Sequence, residues 1–500
     1  MRRLAALTLL AAVALAVACG GDGDKTSGPV SFTHGVASGD VTPDGAVLWT
    51  RVDHEATLTA EVSADATFGD IVADTKAEAT AERDFTAQAA VDGLEPATQY
   101  YYRFRSGDNV STPGSFRTAP ADGANAPVRF IFSGDSDGTA GEDGSRAFDF
   151  GVLDTARDED ADFFLYFGDT IYADSGYGPK ATTLDDFRAK YKENRLIQPL
   201  ASILAATSIY TTWDDHEVEN DYAGKTVDPE LFAAGLAAYR EYWPIRGDDP
   251  GILYRRFHWG KAVDIIILDE RSFRDPDVAA ECAPAGGSAD VLPGLGIPGA
   301  PEEYKDLRVA VGLPAETDPA CLAALNDPGR TLLGAEQKQF LLDALESSEA
   351  TFKIVVNPLP IQEIVAQPYD RWEGYRAERD EIVKFIGDNN IENVIFLTTD
   401  FHANFIGDVR LNLASPAVAV EAIAGPIAHE TLGDAIVRDR GEAVLPVYEQ
   451  LLKQIPRVDC AVFDAYSYGL VEIDPTDESA TITLKDESGE TLCSTVVQAS

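Results

Sequence analysis

Between Phe32 and Thr118 apolar and polar residues alternate in short runs such as "AVLWTRV" and "QYYYRFRSG", separated by turn signals including "TPDG" and "VDGLEPAT". A period of two marks half-buried strands, because successive side chains point to opposite faces of a sheet. The pattern predicts a small all-β domain over residues 31–119, an immunoglobulin- or fibronectin-like sandwich, with "ADGANAP" as a linker. From Val128 the period changes. "VRFIFSG", "DFFLYFG", "SIYTTW", "VDIIILD", "FKIVVN" and "NVIFLTTD" are nearly continuous apolar runs, the signature of strands covered on both faces. Among them Ser145–Arg157, Leu184–Leu204, Glu230–Trp243, Ala335–Ser347 and Arg376–Asp388 carry a helical period. Residues 126–500 therefore read as one α/β unit with helices on the faces of its sheet. A Gly/Pro/Ala-rich insertion, 275–330, interrupts it, and Tyr466–Val497 returns to alternating strands.

The first residues follow a different logic. Arg2 and Arg3 precede an apolar run from Leu4 to Ala18, too short to span a bilayer, and then Cys19. Residues 1–18 read as a signal peptide and 19–30 as a flexible tether, with "AVAC" resembling a bacterial lipoprotein cleavage box that would place a lipid on Cys19. Simple secretion is the alternative. Either route predicts export to the cell surface or periplasm, with membrane contact only through the lipid. Cys282, Cys321, Cys460 and Cys493 remain, an even number that favours disulfides in an exported protein. Three pairings are open, and nearest neighbours (282–321 and 460–493) are expected.

Charge narrows the class of partner. The 500 residues hold 84 Asp and Glu against 40 Lys and Arg, a formal net charge of -44. This argues against nucleic acid or an anionic membrane held by plain electrostatics, since both need clustered cations. A phosphate-bearing substrate would also approach against the field unless metal ions reversed its sign locally. A solvated, solubilising surface explains part of the acidity.

The informative positions are where the buried strands stop. These runs end at Asp135 and Asp137; at Asp169 and Tyr172; at Asp214, Asp215 and His216; at Asp269 and Arg271; at Asn357; and at Asp400 and His402. One Asp after a strand is usually a turn former or helix cap. Six strand ends delivering such groups to one edge is the arrangement of a ligand crevice in an open α/β sheet. Converging carboxylates repel and raise one another's pKa values unless multivalent cations keep them ionised. The donors suit Ca, Mg, Mn, Fe(III) or Zn. Two such ions could clamp a phosphoryl group and activate water. Within "TTWDDHEVEND", His216 is then free for proton transfer, with Glu217 as its orienting partner.

These segments carry a family resemblance. "FTHGVASGDVTPDGAVLWTRV" looks like the opening of PhoD-like alkaline phosphatases/phosphodiesterases, and "DFFLYFGDTIY", "TTWDDHEVEND", "IIILDERSFR" and "IFLTTDFHANF" are similar to that family's successive core motifs. The resemblance implies a metallophosphoesterase-type two-sheet α/β sandwich with a dinuclear site at the strand ends, and a monomer that hydrolyses small phosphate esters. It implies that Asp169 bridges the metals and Tyr172 ligates the first, and that Asp215 ligates the second. His216 would be the catalytic imidazole, while Asp400 and His402 would close the site. Arg271 would contact phosphate or form a salt bridge, and Asn357 sits where related folds place a histidine ligand. Asp214, Glu217 and Glu219 would be supporting partners. One departure matters: Asp135 stands where the family has a cysteine that ligates Fe(III), in a "DxH"-like arrangement with Asp137 in place of the histidine. That shifts the expected metal toward Ca, Mn, Mg or mixed occupancy. A phospholipase D-like diesterase acting on lipid headgroups, and a non-catalytic metal- or ligand-binding surface lipoprotein, are the competing readings.

Overall fold

The computed structural model describes residues 28–499 except Asp248, 283–318, 364–369, Leu413 and 447–457. The signal peptide, Cys19 and the centre of the insertion therefore lie outside the described residues. Two large sheets form the body of the molecule. The nine-stranded sheet runs Thr491–Gln498, Ser479–Asp486, Ser467–Asp474, Val128–Ser133, Phe163–Tyr166, Ile209–Tyr210, Phe32–Thr42, Gly45–Val52, Thr86–Asp92. The seven-stranded sheet runs Arg255–Trp259, Val263–Ile267, Phe352–Val356, Val394–Thr398, Ala417–Ile423, Asn404–Arg410, Val458–Val462. Their central strands are parallel.

Period-two alternation decides what each strand faces. Phe163 and Leu165 point into the core between the sheets with Ile265, Ile354 and Ile395. Phe164 and Tyr166, one residue out of phase, meet Phe187, Tyr191, Ile203 and Tyr239 from the helices outside. On the other sheet Ile395 and Leu397 face inward, while Val394 and Phe396 meet Leu341, Leu345, Ile382 and Ile386. The result is a helix–sheet–sheet–helix sandwich. Each such fully buried side chain is worth about 1.5–3 kcal/mol relative to exposure.

The helices start where local chemistry provides a cap. Thr183 and Asp186 form a reciprocal capping box ahead of Leu184–Arg195, and Asp228 accepts from the amides of Glu230 and Leu231, with Pro229 in the first turn of Pro229–Tyr242. The predicted helix Leu184–Leu204 is two, Leu184–Arg195 and Gln198–Ala206, because Pro199 tolerates only a first turn. The helix predicted over Ser145–Arg157 shrinks to Val152–Arg157.

The N-terminal β region is not cored by itself. Ile71–Ala79, Ala56–Ser63, Gln99–Ser106 and Asn109–Val110 form a five-stranded sheet with Gly114–Arg117, which pairs with Gln99–Ser106. Phe32–Thr42, Gly45–Val52 and Thr86–Asp92 instead extend the nine-stranded sheet through the parallel pairing of Gly39 with Ile209. That pairing covers what would be an exposed edge at the two-residue strand Ile209–Tyr210. Leu58, Tyr102 and Phe104 share one hydrophobic cluster with Phe130 and Phe352. Both expected disulfides are present, Cys282–Cys321 and Cys460–Cys493, the first tying the two ends of the insertion together. Among the described residues no helix is long and apolar enough to cross a membrane.

Candidate metal centre

Parallel strands point their carboxyl ends the same way, so the loops after Ser133, Tyr166, Tyr210 and Thr398 meet at one edge. Four residues there hold left-handed backbone: Asp135 (φ 57°), Asp169 (φ 49°), Asp400 (φ 60°) and His402 (φ 51°). That conformation carries a strain cost for a residue with a Cβ and persists where the surroundings impose it, often at functional sites. Asp135, Asp169 and His402 form one group of donor atoms mutually within 4.8 Å, and Asp169, Asp215 and His216 form another. Asp169 belongs to both, the placement required of a bridging carboxylate.

Electrostatics favour a cation between these groups. The Asp135 carboxyl is pushed well above the usual range by burial and by the charge of Asp400, and that of Asp169 by burial and by Asp215. Asp135 Oδ1 accepts from the Asp400 amide (3.2 Å), but its buried Oδ2 has no hydrogen-bond partner. A buried carboxylate oxygen without a donor costs free energy that a bound cation would offset. Gly425, at φ 131°, lets backbone approach this atom; a Cβ there would sit 2.7 Å from Asp135 Oδ2. The oxygen and imidazole donor set suits hard or borderline ions.

The histidines are oriented by their second nitrogens. His402 Nδ1 donates to the carbonyl of Glu430 (2.8 Å), leaving Nε2 to face the Tyr172 hydroxyl (3.1 Å) and Asp135 Oδ1 (3.8 Å). His216 places Nδ1 2.6 Å from Asp174 Oδ1, while its amide donates to Asp169 Oδ1 (3.1 Å). Burial opposes a charge on His216, but Asp215 and the Asp174 hydrogen bond outweigh it and push its pKa up to about 9. A carbonyl or carboxylate on one ring nitrogen fixes the tautomer and presents the other for ligation or proton transfer.

Several predicted residues have other partners. Both oxygens of Asp137 are taken, Oδ1 by the Thr139 amide (2.9 Å) and Oδ2 by the Ser175 hydroxyl (2.6 Å). Asn357 is fully buried with both ends of its amide engaged: its Nδ2 donates to Leu359 O and to Thr398 Oγ1 (3.3 Å), and its Oδ1 accepts from Trp372 Nε1 (3.0 Å). Arg271 is a salt-bridge residue. Its guanidinium is 0% exposed, with Nε 2.6 Å and Nη2 3.0 Å from the two oxygens of Asp214, and Nη1 2.9 Å and Nη2 2.8 Å from those of Asp370. Asp400 Oδ2 accepts from Arg371 Nε (2.8 Å). Glu217 does not orient His216: it accepts from the amide and hydroxyl of Thr170 (both 2.7 Å) and from the Asp214 amide (3.0 Å), bracing the turns that carry Asp169 and Asp215. Glu219 pairs with Lys180 near the surface (3.0 Å).

Three contributors escaped sequence reasoning. Asp174 lies five residues after Asp169 on the same loop, so the loop that supplies Tyr172 carried a signal. Asp370, distant along the chain, joins Asp215 and Asp221 in a further group of carboxylates. His429 lies beyond Ala417–Ile423, the parallel strand absent from the predicted set. It puts Nδ1 3.1 Å from His402 Nδ1 and stacks on Tyr172 with centroids 4.3 Å apart and planes 11° apart. Burial pushes its pKa down to about 2, so the ring is neutral.

Comparison with known proteins bears on the family and the fold. The family model described as PhoD-like phosphatase matches residues 140–484, and that described as PhoD-like phosphatase, N-terminal domain, matches residues 16–120. The chain is 30% identical over 433 residues to alkaline phosphatase D of Bacillus subtilis (strain 168), covering 76% of this chain and 66% of that protein. The solved structure of PhoD superposes with a TM-score of 0.73 at 25% identity over 93% of both chains. The purple acid phosphatase PPD1 from yellow lupin (Lupinus luteus) seeds shares the fold, with a TM-score of 0.57 at 12% identity over 93% of this chain and 73% of that one.

Proposed function

Because this chain belongs to the PhoD-like phosphatase family, we propose that it is an exported, metal-dependent phosphoric ester hydrolase, an alkaline phosphatase or phosphodiesterase acting on small esters. The observation that carries the reading is Asp169, shared by two donor groups that also contain Asp135, His402, Asp215 and His216. The unpartnered, buried Oδ2 of Asp135 fits a cation there. Asp135, Asp169 and His402 would hold one ion, with the Tyr172 hydroxyl beside His402 Nε2, and Asp169 and Asp215 would hold a second. Bound cations would supply Lewis acidity for the phosphoryl oxygens and a water of lowered pKa.

The protein's own groups do the remaining work. Asp174 anchors His216 Nδ1 and turns Nε2 toward the ester, where it donates its proton to the departing alcohol oxygen as the P–O bond breaks. Glu217 and the Asp214–Arg271–Asp370 chain keep the two Asp-bearing turns rigid, so that substrate meets a preformed site. Two disulfides agree with an oxidising compartment, and Cys19 would carry the lipid that tethers the domain.

The test is hydrolysis of a chromogenic phosphomonoester and diester at alkaline pH, before and after exhaustive chelation, with elemental analysis of protein purified without added metal. Loss on chelation and recovery with one metal are expected. Activity indifferent to complete metal removal would overturn the reading. Choline release from phosphatidylcholine in preference to soluble esters would favour a headgroup diesterase instead. His216→Ala that keeps its metal content and its turnover would remove the imidazole from the mechanism.

A further inference from the structure

A column of rings leads out of the centre. His216 packs on Tyr172 (centroids 4.2 Å), Tyr172 on His429 (4.3 Å), His429 on Phe148 (5.3 Å), and Phe148 meets Tyr177 edge to face (5.4 Å, 89°). The inner rings belong to the site already described. The outer two do not, and their exposure is unusual for an aromatic cluster: Phe148 is half-buried, and Tyr177 is 50% exposed, one of the few large hydrophobic side chains left in water.

These outer rings are held in place by a residue outside the donor groups. Asp137 accepts from the Thr139 amide at the root of the loop carrying Phe148, and from the hydroxyl of Ser175, which in turn accepts from the Tyr177 amide (3.1 Å). Arg146 reaches back to the Gly138 carbonyl (2.9 Å) and closes the first loop on itself. The two loops touch at Gly178, where a Cβ would lie 2.6 Å from Thr139 Cγ2 and would force that side chain to shift. A buried carboxylate thus sets two loops, and the loops present a ring pair at the outer end of the column, Phe148 packed on His429.

We propose that Phe148 and Tyr177 form a specificity subsite for the alcohol part of the ester, and that it takes an alcohol bearing a planar aromatic ring, stacked as a continuation of the column. This deepens the hydrolase reading and rests on it. The same loop carries Glu142, Asp143 and Asp149, all exposed, which repel a polyanion and so select a small ester over a nucleic-acid chain. Stacking of a base on an aromatic side chain is worth about 1–3 kcal/mol, a factor of about five or more in affinity.

The test compares adenosine 5′-monophosphate with ribose 5-phosphate, which share the scissile ester and its charge and differ in the ring. The full chain, loaded with the metal that supports activity, is expected to show a KM at least about fivefold lower for the nucleotide. Tyr177→Ala and Phe148→Ala should each move the ratio of the two KM values toward one, and Tyr177→Phe should keep it. Asp137→Asn should erode the ratio through the loops. Equal KM values in the wild type, or a ratio unmoved by both alanine variants, would overturn the subsite. Titration calorimetry of the two ligands with the His216→Ala variant repeats the comparison with turnover suppressed. A ring preference without hydrolysis would sink the hydrolase reading and leave the subsite standing. Hydrolysis without ring preference would do the reverse.

Discussion

Replacing Arg271 by Met separates a structural cation from a substrate-binding one. The guanidinium is fully buried and makes two two-point contacts, with Asp214 at 2.6 and 3.0 Å and with Asp370 at 2.8 and 2.9 Å. After substitution Asp370 retains Arg274 at 2.7 Å, whereas Asp214, itself 0% exposed, keeps no cation among its described contacts. Breaking a buried pair by removing one partner costs about 3–5 kcal/mol, most of it the uncompensated charge left behind. By contrast the solvent-facing pair Lys180–Glu219 is worth less than about 1 kcal/mol. Urea unfolding followed by tryptophan fluorescence should therefore show Arg271→Met destabilised by roughly 3–5 kcal/mol and Lys180→Met by less than about 1 kcal/mol. Adding Asp214→Leu to Arg271→Met should recover part of the loss, because it removes the orphaned carboxylate. The opposite pattern, an unchanged unfolding midpoint with KM for a phosphate ester raised tenfold or more, would mean that Arg271 meets substrate and does not serve as a structural cation.

Other outcomes follow from the same geometry. Asp174→Asn should lower kcat by about 10–100-fold, the usual cost of removing the partner that orients a reactive or ligating histidine, while metal content measured by elemental analysis stays at the wild-type value. An unaltered kcat would show that His216 needs no orienting carboxylate. On the outer face of the seven-stranded sheet, burial opposes the charge of Asp264, but His258, Arg256 and Ser348 hold its carboxyl down at about 2 against an ordinary 3.8. A depressed carboxyl stabilises the fold in full above the unfolded value and loses that contribution as pH falls through the folded one. Asp264→Asn should thus cost about 2 kcal/mol at neutral pH, with the gap to wild type closing between about pH 4 and pH 2. A gap constant down the acid limb of a urea-midpoint series would refute the linkage.

Much of this was legible from the chain alone, for identifiable reasons. Burial on both faces makes a central strand apolar throughout, so "DFFLYFG", "VDIIILD" and "NVIFLTTD" are legible as strands; the chemistry falls just past each such strand, which puts Asp135, Asp169, Asp215, His216 and His402 on one edge from the sequence alone. The helix periods of Pro229–Tyr242, Gly334–Glu346 and Arg376–Asp388 were equally local properties, whereas the even cysteine count left three pairings open and only the fold selects 282–321 and 460–493. What a residue at the edge does was not local. Asp137 and Asp135 are two positions apart on one loop, and only packing turns one toward Ser175 and leaves the other with a bare oxygen. Arg271 and Asp214 are 57 residues apart, and Arg271 and Asp370 are 99 apart; no pattern in the chain said that they would neutralise one another in the interior rather than face a phosphate. The merging of the N-terminal strands into the main sheet depends on a single parallel register, Gly39 with Ile209, that alternation cannot encode. Periodicity determines which elements form and which end carries the polar groups, because it reflects burial residue by residue. Partner choice among buried charges is decided by which loops the closed sandwich presses together, and that is settled only in three dimensions.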